Sequence, residues 1–193
     1  MNIHALENLM YELSDFFMAP VLILLTILFA YSLVATGEYL FQIWQRRKNR
    51  SNYFKATDRE LGQANSLNLK GYPLLEIAHS HPKVTKDQLD VAALEIMQGV
   101  RSVSRLAPML GLIATMVPMG PALKSLADGN VQGISENLVV AFSAVIFGLV
   151  IASITFWIAN DKKKWLAKDL VAVAPYLYEE KQKKVKEAVS EAA

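Results

Sequence analysis

The chain reads as an all-α integral membrane protein with three transmembrane helices, the second and third extending into the cytoplasm. Three observations predict this. Of 193 residues, 53% are hydrophobic, the mean hydropathy is positive, and the apolar residues are clustered rather than spread. The clusters are runs at 18–41, 106–127 and 134–159, each long enough to cross a bilayer as a helix. The charges between them are sorted: 1–19 hold Glu7, Glu12 and Asp15 with no Lys or Arg, and Lys124 is the only basic residue outside 42–105 and the stretch after 160. The positive-inside rule then places the N-terminus and the 128–133 turn outside, and the 42–105 segment and the C-terminus in the cytoplasm of a cell that keeps this chain in its inner, cytoplasmic membrane.

At 1–17, Ile3, Leu6, Leu9, Met10, Leu13, Phe16 and Phe17 recur at three- and four-residue steps. This describes an amphipathic helix, either flat on the outer surface with Pro20 as a bend, or a lead-in to the span. The first run, 18–41, is too long for a signal-peptide core and has no basic stretch before it. Its Thr26, Ser32 and Thr36 can bond to carbonyls one turn earlier. Glu38 is either an interfacial acid that reaches headgroup level or an Arg, or an acid at the inner mouth of an ion pathway.

The segment 42–105 reads as helices. Thr57-Asp58-Arg59-Glu60 and Thr85-Lys86-Asp87-Gln88 match the capping-box pattern. Gly71-Tyr72-Pro73 and His79-Ser80-His81-Pro82 break the chain between them. From Gln88, the stripe Leu89, Ala92, Ala93, Ile96, Val100 and Val103 has no stop signal, so one helix is expected to rise into the second span. After the third span, Asp161-Lys162-Lys163-Lys164-Trp165 anchors an interface, and a charged helix over 160–193 is expected to break near Pro175.

Several chemistries are excluded or weak. Cysteine is absent, which removes disulfides, thiol chemistry and cysteine metal sites. His79 and His81 in a loop, with no third ligand nearby, do not predict a metal. No acids cluster near a hydroxyl nucleophile, so neither an enzyme nor a cofactor is expected.

The 106–159 hairpin carries the informative residues. Ala107, Gly111 and Thr115 fall at four-residue intervals, as do Ala144, Gly148 and Ala152, and small residues at this spacing let helices approach closely in a bilayer. Thr115 and Ser143 lie at similar depths, counted from the outer ends at about 1.5 Å per residue, and two hydroxyls on adjacent helices can line a narrow polar path. Pro108, Pro118 and Pro121 each free a carbonyl, which favours a protein or wet surrounding over lipid. The middle of neither helix offers a group that can bind and release a proton, so such a path must borrow its carrier from a partner.

At this point the residues resemble a family. Ala107-Pro108-Met109-Leu110-Gly111-Leu112-Ile113-Ala114-Thr115 looks like the second span of the MotA/TolQ/ExbB proton-channel family. Ile134-Ser135-Glu136, Ala141–Ala144 and Gly148-Leu149 resemble its third span, and the topology agrees. The resemblance implies a ring-shaped homopentamer around two copies of a single-span partner with a membrane aspartate and an outer domain, in which proton (or sodium) flow drives rotation or force across the envelope. It puts Pro108, Gly111, Thr115, Pro118, Ser143, Ala144 and Val145 along the pore, Val145 standing where a threonine is expected. Glu136 falls at the outer mouth, and Ala107, Gly148 and Ala152 at helix packing. The competing expectation is a non-conducting scaffold of a membrane assembly. Nucleic acid is not an expected partner.

Overall fold

The computed structural model describes residues 3–57, 68–81 and 84–191, with side chains described for Leu9, Glu12 and, within those stretches, 16–175 and 177. The described residues form five helices and no strand: α1 Ile3–Lys48, α2 Arg50–Thr57, α3 Pro73–Ser80, α4 Lys86–Ala127 and α5 Val131–Glu191. Three stretches, Phe16–Lys48, Lys86–Ala127 and Val131–Pro175, are long and apolar enough to cross a membrane.

α1 runs through Pro20 as one helix, the arrangement of a lead-in to the span. The break expected near Pro175 is absent, and α5 continues through that proline to Glu191. Pro175 removes the donor that the Val171 carbonyl would otherwise meet, and both residues are exposed, a position at which a helix can continue. α4 does run unbroken from the 86–105 stripe into the second apolar run. Of the two capping boxes, Thr85 forms one reciprocally: its N–H donates to Gln88 Oε1 at 2.9 Å, and the Gln88 N–H donates to Thr85 Oγ1 at 3.3 Å. Thr57 instead lies in α2 and donates to the Tyr53 carbonyl at 2.9 Å; Asp58, Arg59 and Glu60 lie outside the described residues.

Contacts divide the chain into two compact units, Met1–Thr36 with Val100–Trp157 and Gly37–Gly99 with Ile158–Ala193. In the first, Val21 and Leu25 pack with Val103, Ala107 and Ala114 of α4 and Ala144 and Ile151 of α5. The inward positions of α1, Val21, Leu25, Leu28, Ser32 and Ala35, alternate steps of four and three, the spacing of a coiled-coil seam. Ser32 and Thr155 are fully buried. They tolerate an apolar surround because each donates within its own helix, to the Phe29 carbonyl at 2.7 Å and the Ile151 carbonyl at 2.7 Å.

The α4–α5 turn is chemically specified. Gly129 adopts φ 70°, a left-handed conformation suited to glycine after a helix. The Asn130 N–H donates to the Ser125 carbonyl at 2.8 Å, and Asn130 Oδ1 accepts the Gly133 N–H at 3.0 Å, capping α5.

The second unit has its own core. Ala56, Leu69, Tyr72, Leu75, Ala78, Leu89 and Val173 form one cluster, and Leu74, Ala93, Met97 and Leu166 another. Gly71, at φ 97°, delivers Pro73 to the first turn of α3. His79, expected in a loop, lies in the last turn of α3, buried and hydrogen-bonded to the Ala56 backbone; burial holds its pKa below the usual range. His81 is exposed and follows the helix. Among the described residues no group of three or more His, Asp or Glu gathers to hold a metal ion.

Candidate functional site

The hairpin is organised by backbone proximity. A Cβ on Gly148 would stand 2.8 Å from the Ala107 carbonyl oxygen and 3.1 Å from Gly111 Cα, whereas one on Gly111 would find its nearest atoms, on Ala144, Gly148 and Val145, at 3.5 Å. Both glycines sit where the two helices meet, but only Gly148 lies at a point where a side chain cannot be added without moving backbone.

Around this contact the sequence-named positions separate. Ala107, Gly111, Pro118, Ala144 and Gly148 are buried within the chain. The buried line on α4 runs Ala107, Gly111, Ala114, Pro118 and Ala122, so after Gly111 it steps to Ala114 rather than to Thr115. Thr115 is turned off the seam and half-buried, donating to the Leu112 carbonyl at 2.6 Å. Pro108, Val145 and Ala152 are half-buried too. Ser143 is exposed, and its hydroxyl makes no hydrogen bond to Thr115 or to any other described residue. Glu136 is exposed and accepts from Gln132 Nε2 at 3.1 Å, and Glu38 is exposed. Large side chains on the outer faces of the same helices, among them Leu112, Met116, Phe142 and Ile146, are also exposed.

Sequence reasoning missed a second polar cluster, in the other unit. Arg46 Nη2 donates to Asp169 Oδ1 at 2.6 Å, with the Asp169 side chain fully buried and that of Arg46 13% exposed. The guanidinium carbon stands 4.3 Å from the Tyr72 ring centroid and 5.0 Å from that of Trp165, and Tyr72 Oη donates to the Arg46 carbonyl at 3.1 Å. Tyr39 stacks on Trp165 at 5.3 Å and donates to Asp161 Oδ2 at 2.6 Å.

Asp169 lies beyond the third apolar run. Burial pushes its carboxyl up to about 6, outweighing the opposing pull of Arg46. Asp169 Oδ2 and Arg46 Nη1 are buried without a partner, which deepens that penalty. Burial also raises the Tyr53 and Tyr72 hydroxyls. The available signal was register. Tyr39 and Arg46 are seven residues apart and Asp161, Trp165 and Asp169 four apart, so each set lies on one helix face.

A family model described as the MotA/TolQ/ExbB proton channel family matches residues 74–174, just over half of the chain. No curated protein and no solved structure matches it. The matched span takes in α3, all of α4 and α5 as far as Asp169 and its neighbours, so it includes both the close-packed hairpin and the acid of the buried ion pair. The chain, with three helices able to cross a membrane, belongs to the MotA/TolQ/ExbB proton channel family.

Proposed function

We propose that the protein is the proton-conducting subunit of a complex that converts the proton-motive force into mechanical work. It assembles as a homopentamer around two copies of a single-span partner, with its N-terminus outside and its C-terminus in the cytoplasm. The observation that carries this is a mismatch within the hairpin. It sets Thr115, half-buried, and Ser143, uncovered, among exposed hydrocarbon side chains, yet the middle of neither apolar run supplies a titratable group. Hydroxyls can pass a proton along or order water, but they do not hold one at neutral pH. A conducting path therefore needs a carboxylate from elsewhere, and a membrane aspartate on the partner supplies it.

Thr115, Ser143 and Val145 then face the partner, with Pro108 beside them and Glu136 at the outer mouth. Gly111, Pro118 and Ala144, expected from the resemblance along the pore, are buried in the protomer and hold the wall together. Glu38, exposed, stands at the inner mouth.

The test is proton flux into liposomes holding the chain and its co-purified single-span partner under an imposed gradient. Flux that falls at least ten-fold in Thr115→Val, with assembly unchanged, supports the assignment. Absence of flux from the intact pair would leave the scaffold reading, and flux that follows sodium rather than pH would change the ion.

A further inference from the structure

Between Glu38 and Asp58 the sequence has five basic residues and no acid. Arg46 is committed to Asp169. Arg47, Lys48, Arg50 and Lys55 are exposed. Beside them stand large rings that the described residues leave mostly open: Phe41 and Trp44 are each 57% exposed and stack at 6.0 Å and 27°. The Lys48 ammonium lies 5.2 Å from the Trp44 ring centroid.

Phe41, Trp44 and Lys48 are three and four residues apart, so they form one ladder along α1, from the last residue of the first apolar run outward into water. The order of that ladder is chemically directional: hydrocarbon-compatible ring, amphipathic indole, then cation. A stack of this polarity matches a phospholipid, whose chain lies along the rings and whose phosphodiester meets the ammonium. A neutral headgroup would leave the surrounding cations uncompensated, whereas an anionic one is attracted by each of them.

We propose that Phe41, Trp44 and Lys48, with Arg47 and Arg50 beside them, form a headgroup site for an anionic phospholipid of the leaflet in which the first span ends. The proposal rests on the position of that span and not on the pore assignment, so either can fail alone. The site makes the seating of α1 depend on lipid charge.

The test uses the full chain with Trp157→Phe and Trp165→Phe, leaving Trp44 as the sole indole, reconstituted in bilayers containing brominated phosphatidylglycerol or brominated phosphatidylcholine. At low salt, quenching of Trp44 is expected to show about five-fold or greater preference for the anionic lipid, the factor that one cation near an anionic surface provides. Lys48→Gln with Arg47→Gln and Arg50→Gln should bring the preference close to one while quenching by phosphatidylcholine persists. Equal quenching by the two lipids in the parent chain would overturn the proposal. So would quenching by neither, which would mean that a second copy of the chain covers this face. Native mass measurement of the unaltered chain provides a check that does not depend on the Trp variants: it should retain phosphatidylglycerol over phosphatidylcholine, and Lys48→Gln should lose that retention.

Discussion

Gly111 and Gly148 look equivalent in sequence and are not equivalent in space, so alanine at the two positions should act in opposite directions. At Gly148 the new methyl would sit 2.8 Å from the Ala107 carbonyl oxygen and 3.1 Å from Gly111 Cα. Those atoms are backbone and move only if the helices separate. Overpacking of this kind costs about 1–3 kcal/mol, while replacing glycine inside a helix with alanine returns about 1 kcal/mol. Gly148→Ala should therefore be destabilising by up to about 2 kcal/mol once those two terms are combined. At Gly111 the same methyl meets three atoms at 3.5 Å, ordinary contact, so only the helix term remains and the variant should gain about 0.5–1 kcal/mol. Reversible unfolding in mixed micelles, with each variant measured against the parent, reads the difference directly. Gly111→Ala as damaging as Gly148→Ala would refute the assignment of the crossing point to Gly148.

Three further outcomes are expected. The Asp169 carboxyl has its pKa raised from 3.8 to about 6 in the folded protein. Both states hold the proton below the lower value, and the unfolded chain releases it first as the pH rises. Stability should thus fall between 3.8 and about 6, by on the order of 3 kcal/mol if the shift is fully expressed, and Asp169→Asn should flatten that slope in a pH series of melts. Arg46→Met alone strands a buried carboxylate and should lose about 3–5 kcal/mol, whereas Arg46→Met with Asp169→Met should recover most of it; equal loss in single and double variants would show that the pair is not coupled. Thr155→Val should be nearly neutral in the same unfolding assay, because the hydroxyl it removes bonds only within its own helix, and a loss above about 2 kcal/mol would indicate an unseen partner.

The membrane class and the helical hairpin were legible because hydrocarbon thickness and small-residue spacing are one-dimensional signals. So was the Thr85 cap, whose partners are three residues apart. Pro175 was a poor guide, since a proline predicts a missing hydrogen bond but not whether the helix can continue past it. A helix turn is 3.6 residues, so the buried line through Ala107 and Gly111 steps to Ala114 and releases Thr115. Arg46 and Asp169 were hidden because their partnership spans more than a hundred residues of chain, and each taken alone resembles an ordinary charge on a polar segment.

Ser32, Thr115 and Thr155 all spend their hydroxyl protons on their own helices, but Ser143 does not, and it stands on an exposed face among Phe142, Ile146 and Val139. A solitary protomer surrounded by lipid would keep that donor idle, a penalty that disappears when another surface or water reaches it. A second surface or water reaching this hydroxyl would satisfy it without requiring any change in the chain's own fold.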